Sequence, residues 1–136
     1  MKQGDVTTQD EATLLPVPYV GRFARVMNVA TGSVGYTGVG FRPRLLLFVS
    51  PSGGINGGSW GHATAADQGG QYDNNAATAN DFAQMAVTSC IRAVESGTAN
   101  YAGKLASMDI DGFTIDWTRT GATTGNTLSN EFVAFK

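Results

Sequence analysis

Two segments of the sequence indicate strands and together favour an all-β fold. Near the middle, residues 45–50 place five large apolar side chains in a row, shortly after Pro43, which cannot donate a backbone hydrogen bond. Near the end, Phe113, Ile115 and Trp117 alternate with polar residues, which is the period of a strand with one buried face. We expect the first strand to be covered on both faces and the second on one.

The remaining apolar runs are short and are separated by glycine-rich turns. Further strands are predicted near residues 20–29, 34–39, 81–96, 105–108 and 128–135. The segment 81–96 also fits helical spacing, and its β-branched residues favour the strand. About eight strands without alternating helices predict an antiparallel β-sandwich or jelly roll over residues 20–136.

Residues 1–19 are predicted to form an extended N-terminal arm. Two prolines separated by one residue impose extended backbone geometry, and the segment ends in apolar side chains. The predicted anchors of this arm are Leu14, Leu15, Val17 and Tyr19. Because apolar groups are unlikely to be left in water, we expect the arm to lie across its own domain or a neighbouring subunit.

The charge content limits the classes of partner. Charged residues make up 15% of the 136 residues, against about 25% in an average protein, which indicates a surface partly covered by other protein. The net charge is −2 and the basic residues are scattered, which disfavours nucleic-acid binding. No apolar run approaches the roughly 20 residues of a membrane span, and the first residues lack a signal-peptide core. We therefore expect a protein made in the cytoplasm that binds no membrane.

The sequence contains no recognisable catalytic or cofactor-binding motif. The single cysteine, Cys90, and the single histidine, His62, lie in separate segments, and there is no nucleophile elbow, phosphate loop or paired metal-ligand motif. We predict no enzyme activity, no cofactor and no metal, with Cys90 as a core residue.

Three aspartates near the end invite a calcium interpretation, but a turn explains them better. Asp109, Asp111 and Asp116 surround Gly112, whereas an EF-hand loop needs more oxygen ligands and a bidentate glutamate at its twelfth position. We predict a turn with Gly112 at positive φ.

Two groups of residues are candidate binding sites. Arg42 and Arg44 flank a proline and are predicted to project in one direction, as a basic spot for a partner's carboxylates. Trp60 and His62 are two residues apart on one predicted face, and Tyr72 follows in a polar loop. An aromatic face beside an imidazole suits stacking on a sugar ring, so these three residues form the alternative, glycan-binding site.

Four segments, in order, resemble short bacteriophage virion proteins and tail-fibre-like modules. They are YTGVGFRPR (36–44), GHAT (61–64), CI (90–91) and SMDIDGFTIDWT (107–118). His62 and Met108 stand where the family pattern has phenylalanine. The resemblance implies a phage structural protein located in the virion and covers the chain from about residue 34 onwards.

The resemblance and the residue patterns together favour a capsid decoration, or cement, protein. It would form an oligomer, expected to be a homotrimer, and bind the major capsid protein on the outside of the head. The alternative hypothesis is a receptor- or carbohydrate-binding module of a phage tail fibre or spike.

Overall fold

The computed structural model describes residues 16–51, 58–74, 81–84, 88–96 and 98–136. They form ten strands: β1 (Tyr19–Val26), β2 (Gly32–Thr37), β3 (Leu45–Ser50), β4 (Ser59–Ala63), β5 (Gln68–Asn74), β6 (Asp81–Gln84), β7 (Ile91–Ser96), β8 (Ala99–Asp109), β9 (Gly112–Thr120) and β10 (Thr127–Phe135). One sheet has the order β1-β10-β3-β4-β5-β6 and the other β2-β9-β8-β7. Every pairing is antiparallel. The predicted antiparallel all-β sandwich is confirmed, with ten strands where about eight were expected.

The core lies between the two sheets and is rich in aromatic rings. From β9, Phe113, Ile115 and Trp117 are all fully buried, as their alternation predicts. The Trp117 ring stacks on Tyr101 of β8 with ring centroids 5.1 Å apart, and Phe113 meets Phe48 of the opposite sheet edge-on at 5.7 Å. Such offset and edge-to-face pairs are the favoured aromatic geometries, and the Phe113–Phe48 contact joins the two sheets.

Strand β3 departs from the sequence prediction that both of its faces are covered. Leu46, Phe48 and Ser50 are buried, but Leu47 is 40% exposed and Val49 is 42% exposed. The prediction is wrong because an unbroken apolar run carries no period, so it does not reveal which faces have a neighbour. In the part of the chain that the structure describes, the four-stranded sheet covers one face of β3 and solvent meets the other.

The ambiguous segment 81–96 forms strands where the structure describes it. Residues 81–84 form β6, which pairs with β5, and residues 91–96 form β7, which pairs with β8. Ile91 and Ala93 share a buried face, as strand alternation predicts. Met85 and Val87, expected on the same face, lie outside the described residues.

Candidate interaction surfaces

Five apolar side chains lie next to one another on the outer face of the six-stranded sheet, beside the exposed Arg22–Glu131 ion pair. Strand register places Val20 opposite Val133 and Val133 opposite Leu47, and in the next row Val49 stands opposite Trp60. Val20, Leu47, Val49 and Trp60 are exposed, Trp60 by 51%, and Val133 is half-buried. These five residues, called here the outer apolar face, span four adjacent strands. With about 4.8 Å between strands and about 6.6 Å between residues on one face of a strand, these five positions cover about 160 Å² of the sheet.

A face of this kind is a recognised mark of interaction. Contiguous apolar patches that are exposed on a soluble protein often bind partners. Isolated exposed apolar residues need no such explanation, but here the residues are neighbours across strands. The outer apolar face is therefore the strongest candidate for an interface on the described residues.

The predicted glycan-binding residues do not form one surface. Trp60 and His62 share the outer side of β4, as their spacing predicts, and His62 Nε2 lies 3.4 Å from Asp67 Oδ2. Tyr72 of β5 is opposite Ser59, which is buried, so its side chain faces the interior of the sandwich. There the Arg92 guanidinium lies 4.5 Å from the centroid of the Tyr72 ring. The structure thus brings Trp60 and His62 together and places Tyr72 on the other side of the sheet.

The predicted basic spot lies beside a cleft at one end of the sandwich. Arg42 and Arg44 are exposed and the proline between them is buried, so both guanidinium groups point away from the core. Neither is ion-paired with a carboxylate of the described residues. The cleft beside them measures about 450 Å³ and is lined by Arg42, Pro43, Arg44, Thr64, Ala65, Ala66 and Met108; it is called here the arginine cleft.

The four predicted anchors of the arm differ in position. Val17 is 87% exposed and precedes β1, whereas Tyr19 begins β1 and packs its ring 5.8 Å from Phe132. Leu14 and Leu15 lie outside the described residues. Tyr19 is thus a contact of the domain with itself, and Val17 is available to a partner.

Asp111, in the turn between β8 and β9, binds the loop that contains Gly38 and Gly40, which lie 73 and 71 residues earlier in the sequence. The carboxylate of Asp111 accepts hydrogen bonds from the Gly38 amide at 3.1 Å and the Gly40 amide at 2.5 Å. Both glycines have φ values near +85°, in the left-handed region that favours glycine. Gly112 also has positive φ, and a Cβ there would lie 1.9 Å from the Tyr36 carbonyl oxygen. The predicted turn is confirmed, and no group of three potential metal ligands occurs among the residues that the structure describes.

This contact is a feature that the sequence analysis missed. The sequence predicts no contact between segments 36–44 and 107–118, yet they meet through Asp111. The available signal was the pair of glycines one residue apart, whose free amides need an acceptor, together with an aspartate in a turn.

Cys90 has the environment of a core residue. It is fully buried, and its Sγ lies 3.5 Å from the Gly103 carbonyl oxygen. Burial raises the pKa of the Cys90 thiol to about 12, so the thiol keeps its proton at neutral pH. Since the thiolate is the nucleophile, Cys90 is not an activated catalytic cysteine.

The fold and these surfaces define the class of molecule as an antiparallel β-sandwich with an apolar outer sheet face. No family model, curated protein or solved structure matches this chain. None of the described segments is a helix with the length and apolar character to cross a bilayer.

Proposed function

We propose that the protein is a structural component of a bacteriophage virion, a capsid decoration protein that binds the major capsid protein lattice as an oligomer, expected to be a homotrimer. The observation that carries the proposal is the outer apolar face. Burying apolar surface is worth about 25 cal/mol per Å², so a face of about 160 Å² favours association by about 4 kcal/mol before the cost of immobilisation. The resemblance of segments 36–44 and 107–118 to phage virion proteins supplies the class of partner.

The proposed mechanism is mechanical. A stable specific contact buries about 800 Å² per partner, so the outer apolar face would be the centre of a larger interface with a polar rim. Repeated over a closed shell, such contacts link neighbouring capsid subunits, and several must break together before the shell opens. The low charge content and the absence of an activated thiol at Cys90 agree with a protein that works by binding.

The first experiment counts and locates the protein in virions by mass spectrometry and cryo-electron microscopy. Hundreds of copies on the head lattice are expected. A handful of copies at the tail would contradict the decoration proposal.

A matched pair of variants tests the surface itself. Replacing Leu47 and Val49 by glutamate places charge on the outer apolar face and is expected to abolish binding to capsids that lack the protein. Replacing Thr118 and Thr120 by glutamate puts the same charges, at the same spacing, on exposed positions of the other sheet and is expected to leave binding intact. Equal loss in both variants, measured by co-sedimentation with capsids, would count against the proposed surface.

The alternative function, a receptor- or carbohydrate-binding module of a tail fibre or spike, is favoured by one observation. Trp60 and His62 stand two residues apart on an exposed face, where an indole can stack on a sugar. A glycan array would show specific binding that Trp60→Ala removes. Tyr72→Phe serves as the control, because Tyr72 faces the interior and its replacement should not alter such binding.

A further inference from the structure

We propose that the arginine cleft is one end of a groove that binds an extended, acidic segment of a partner protein, which adds as a strand to the free edge of β8. The backbone of Met108 would pair with this segment, and Arg42 and Arg44 would bind its carboxylates. The proposal goes beyond the decoration role, because no residue of the outer apolar face lines this groove.

The groove consists of two neighbouring clefts. The arginine cleft, of about 450 Å³, shares Thr64, Ala65, Ala66 and Met108 with a second cleft of about 410 Å³, so the two clefts are continuous. The second cleft follows β8 back to Leu105. Each volume lies in the range of ligand pockets, and two such volumes end to end suit an extended chain better than one compact small molecule.

One edge of β8 has no neighbouring strand along this groove in the described chain. Strand β7 pairs with β8 as far as Gly103, whereas β9 follows the other edge of β8 to Asp109. Past Gly103, the side-chain amide of Gln68 takes the place of a strand. Its Oε1 accepts from the Leu105 amide at 2.7 Å, and its Nε2 donates to the Leu105 carbonyl at 3.4 Å. Native proteins commonly cover free strand edges in such ways, and here the cover ends at Leu105.

The next free backbone groups on this edge belong to Met108. Consecutive residues of an antiparallel pair direct their N–H and C=O groups alternately toward and away from the neighbouring strand. Leu105 directs its groups away from β9, and the bulge between Leu105 and Ser107 adds one residue, so Met108 is the next to do the same. Neither group of Met108 has a hydrogen-bond partner among the described residues. The edge therefore offers one donor and one acceptor to an extended backbone.

Hydrogen bonds within the domain hold the walls of the groove in place. In the turn between β4 and β5, the Thr64 amide donates to the Asp67 carbonyl at 2.7 Å, and Thr64 Oγ1 accepts from the Asp67 amide at 3.0 Å. At the basic end, the Arg44 amide donates to the Phe135 carbonyl at 2.8 Å. A site that is formed before binding loses less conformational entropy when its ligand arrives.

The charges of the groove define the expected occupant. Arg42 and Arg44 are exposed, and neither is ion-paired with a carboxylate of the described residues, whereas Asp67 lines only the second cleft. Arginine binds carboxylates through paired N–H donors. Because β8 runs from Leu105 toward the arginines, and antiparallel pairing is the more stable, the segment would meet the arginines with its N-terminal end. We therefore expect a polypeptide with carboxylates near that end.

Titration of the full-length protein with a synthetic peptide, followed by NMR, tests the proposal. The probe acetyl-Glu-Val-Glu-Thr-Val-Thr-amide is expected to bind with a Kd below about 1 mM and to shift the amide signal of Met108. Arg42→Gln with Arg44→Gln should bind it about tenfold more weakly, because two charge-assisted contacts are lost. Arg22→Gln with Arg119→Gln removes two exposed arginines that line neither cleft and should keep the affinity.

N-methylated forms of the probe test the strand pairing separately from the charges. One form carries N-methyl groups on its second and fourth residues, and the other carries them on its third and fifth. Only alternate amides of an added strand face the edge of the sheet, so one form should bind about tenfold more weakly and the other should bind as the unmodified probe does. The variants of the peptide leave the protein unchanged, so its folding does not enter the comparison.

Three results would overturn the proposal. The first is no binding of the probe at about 1 mM, whether the groove cannot bind a peptide or is already filled by the protein's own chain. The second is equal affinity for a probe with lysine in place of both glutamates. The third is the same affinity for both N-methylated forms, which would mean that no strand is added.

The titration contains no capsid, so its outcome is separate from the test of the proposed function. Capsid binding by a protein that does not bind the probe would reject only the groove. Binding of the probe by a protein that is absent from the head lattice would reject only the decoration role.

Discussion

At the scale of single residues, burial sets the chemistry of Cys90 and makes stability depend on pH. The pKa of this thiol rises from 9.0 to about 12 in the folded chain. Between these values the unfolded chain releases a proton that the folded chain keeps, so the free energy of unfolding falls as pH rises, by up to about 1.4 kcal/mol per pH unit. Burial also raises the pKa of the Tyr36 hydroxyl, which adds to the loss at higher pH.

We therefore expect urea unfolding to show a steady loss of stability from pH 8.5 to about 10.5. Cys90→Ala should have a shallower slope over the same range, although its stability at pH 7 is lower because a buried side chain is truncated. The Tyr36 contribution is common to both proteins and cancels in the comparison. Parallel slopes would mean that the Cys90 thiol titrates normally in the folded state.

At the scale of elements, strand β4 depends on one glycine where the two sheets approach closely. A Cβ at Gly61 would lie 1.8 Å from the Cys90 carbonyl oxygen, which is backbone and cannot rotate away. Gly61→Ala should therefore lower the free energy of unfolding by about 3 kcal/mol. Gly69→Ala is the matched control in neighbouring β5, because the nearest neighbour of a Cβ there would be the His62 ring at 3.6 Å, which is ordinary van der Waals contact. Similar denaturation midpoints for the two variants would refute this account of the close approach.

A second prediction at this scale concerns the hydrogen bonds that link the β8–β9 turn to the β2–β3 loop. Asp111→Ala removes the acceptor for the amides of Gly38 and Gly40, and we expect a loss of about 1–2 kcal/mol because the carboxylate is partly exposed. Hydrogen exchange measured by NMR should accelerate at these two amides. Asp116→Ala, which removes an acceptor of the Ser33 hydroxyl on the face of β9, should leave that exchange unchanged; if it accelerates exchange equally, the link is not specific.

At the scale of the whole molecule, the two faces of β3 should separate folding from assembly. Leu46 is fully buried in the core and Leu47 is 40% exposed on the outer apolar face. Leu46→Ala should cost about 3 kcal/mol of stability, whereas Leu47→Ala should cost less than about 1 kcal/mol and mainly weaken binding to the partner. Urea unfolding and capsid co-sedimentation of both variants measure the two effects. A larger stability loss for Leu47→Ala than for Leu46→Ala would mean that the outer face is covered within the molecule itself.

The sequence by itself determined the features that depend on local physics. The alternation of Phe113, Ile115 and Trp117 specifies a strand and its buried side, because side chains on a strand point alternately to its two faces. Likewise Gly112 marks a turn, and the spacing of Trp60 and His62 puts both on one face. Each of these structural features depends only on residues a few positions apart, so the sequence pattern is sufficient to predict it.

Tertiary structure alone decided which faces are covered and which distant groups meet. The apolar run of β3 fits a strand that is covered on both sides, yet the described chain provides a second layer for one side only. The sequence predicts Tyr72 beside Trp60, but the register of β4 and β5 turns Tyr72 inward. Asp111 accepts hydrogen bonds from amides 71 and 73 residues earlier in the chain. The physical reason is that a period of two assigns residues to faces, whereas the layer that covers a face is set by packing between strands far apart in the sequence.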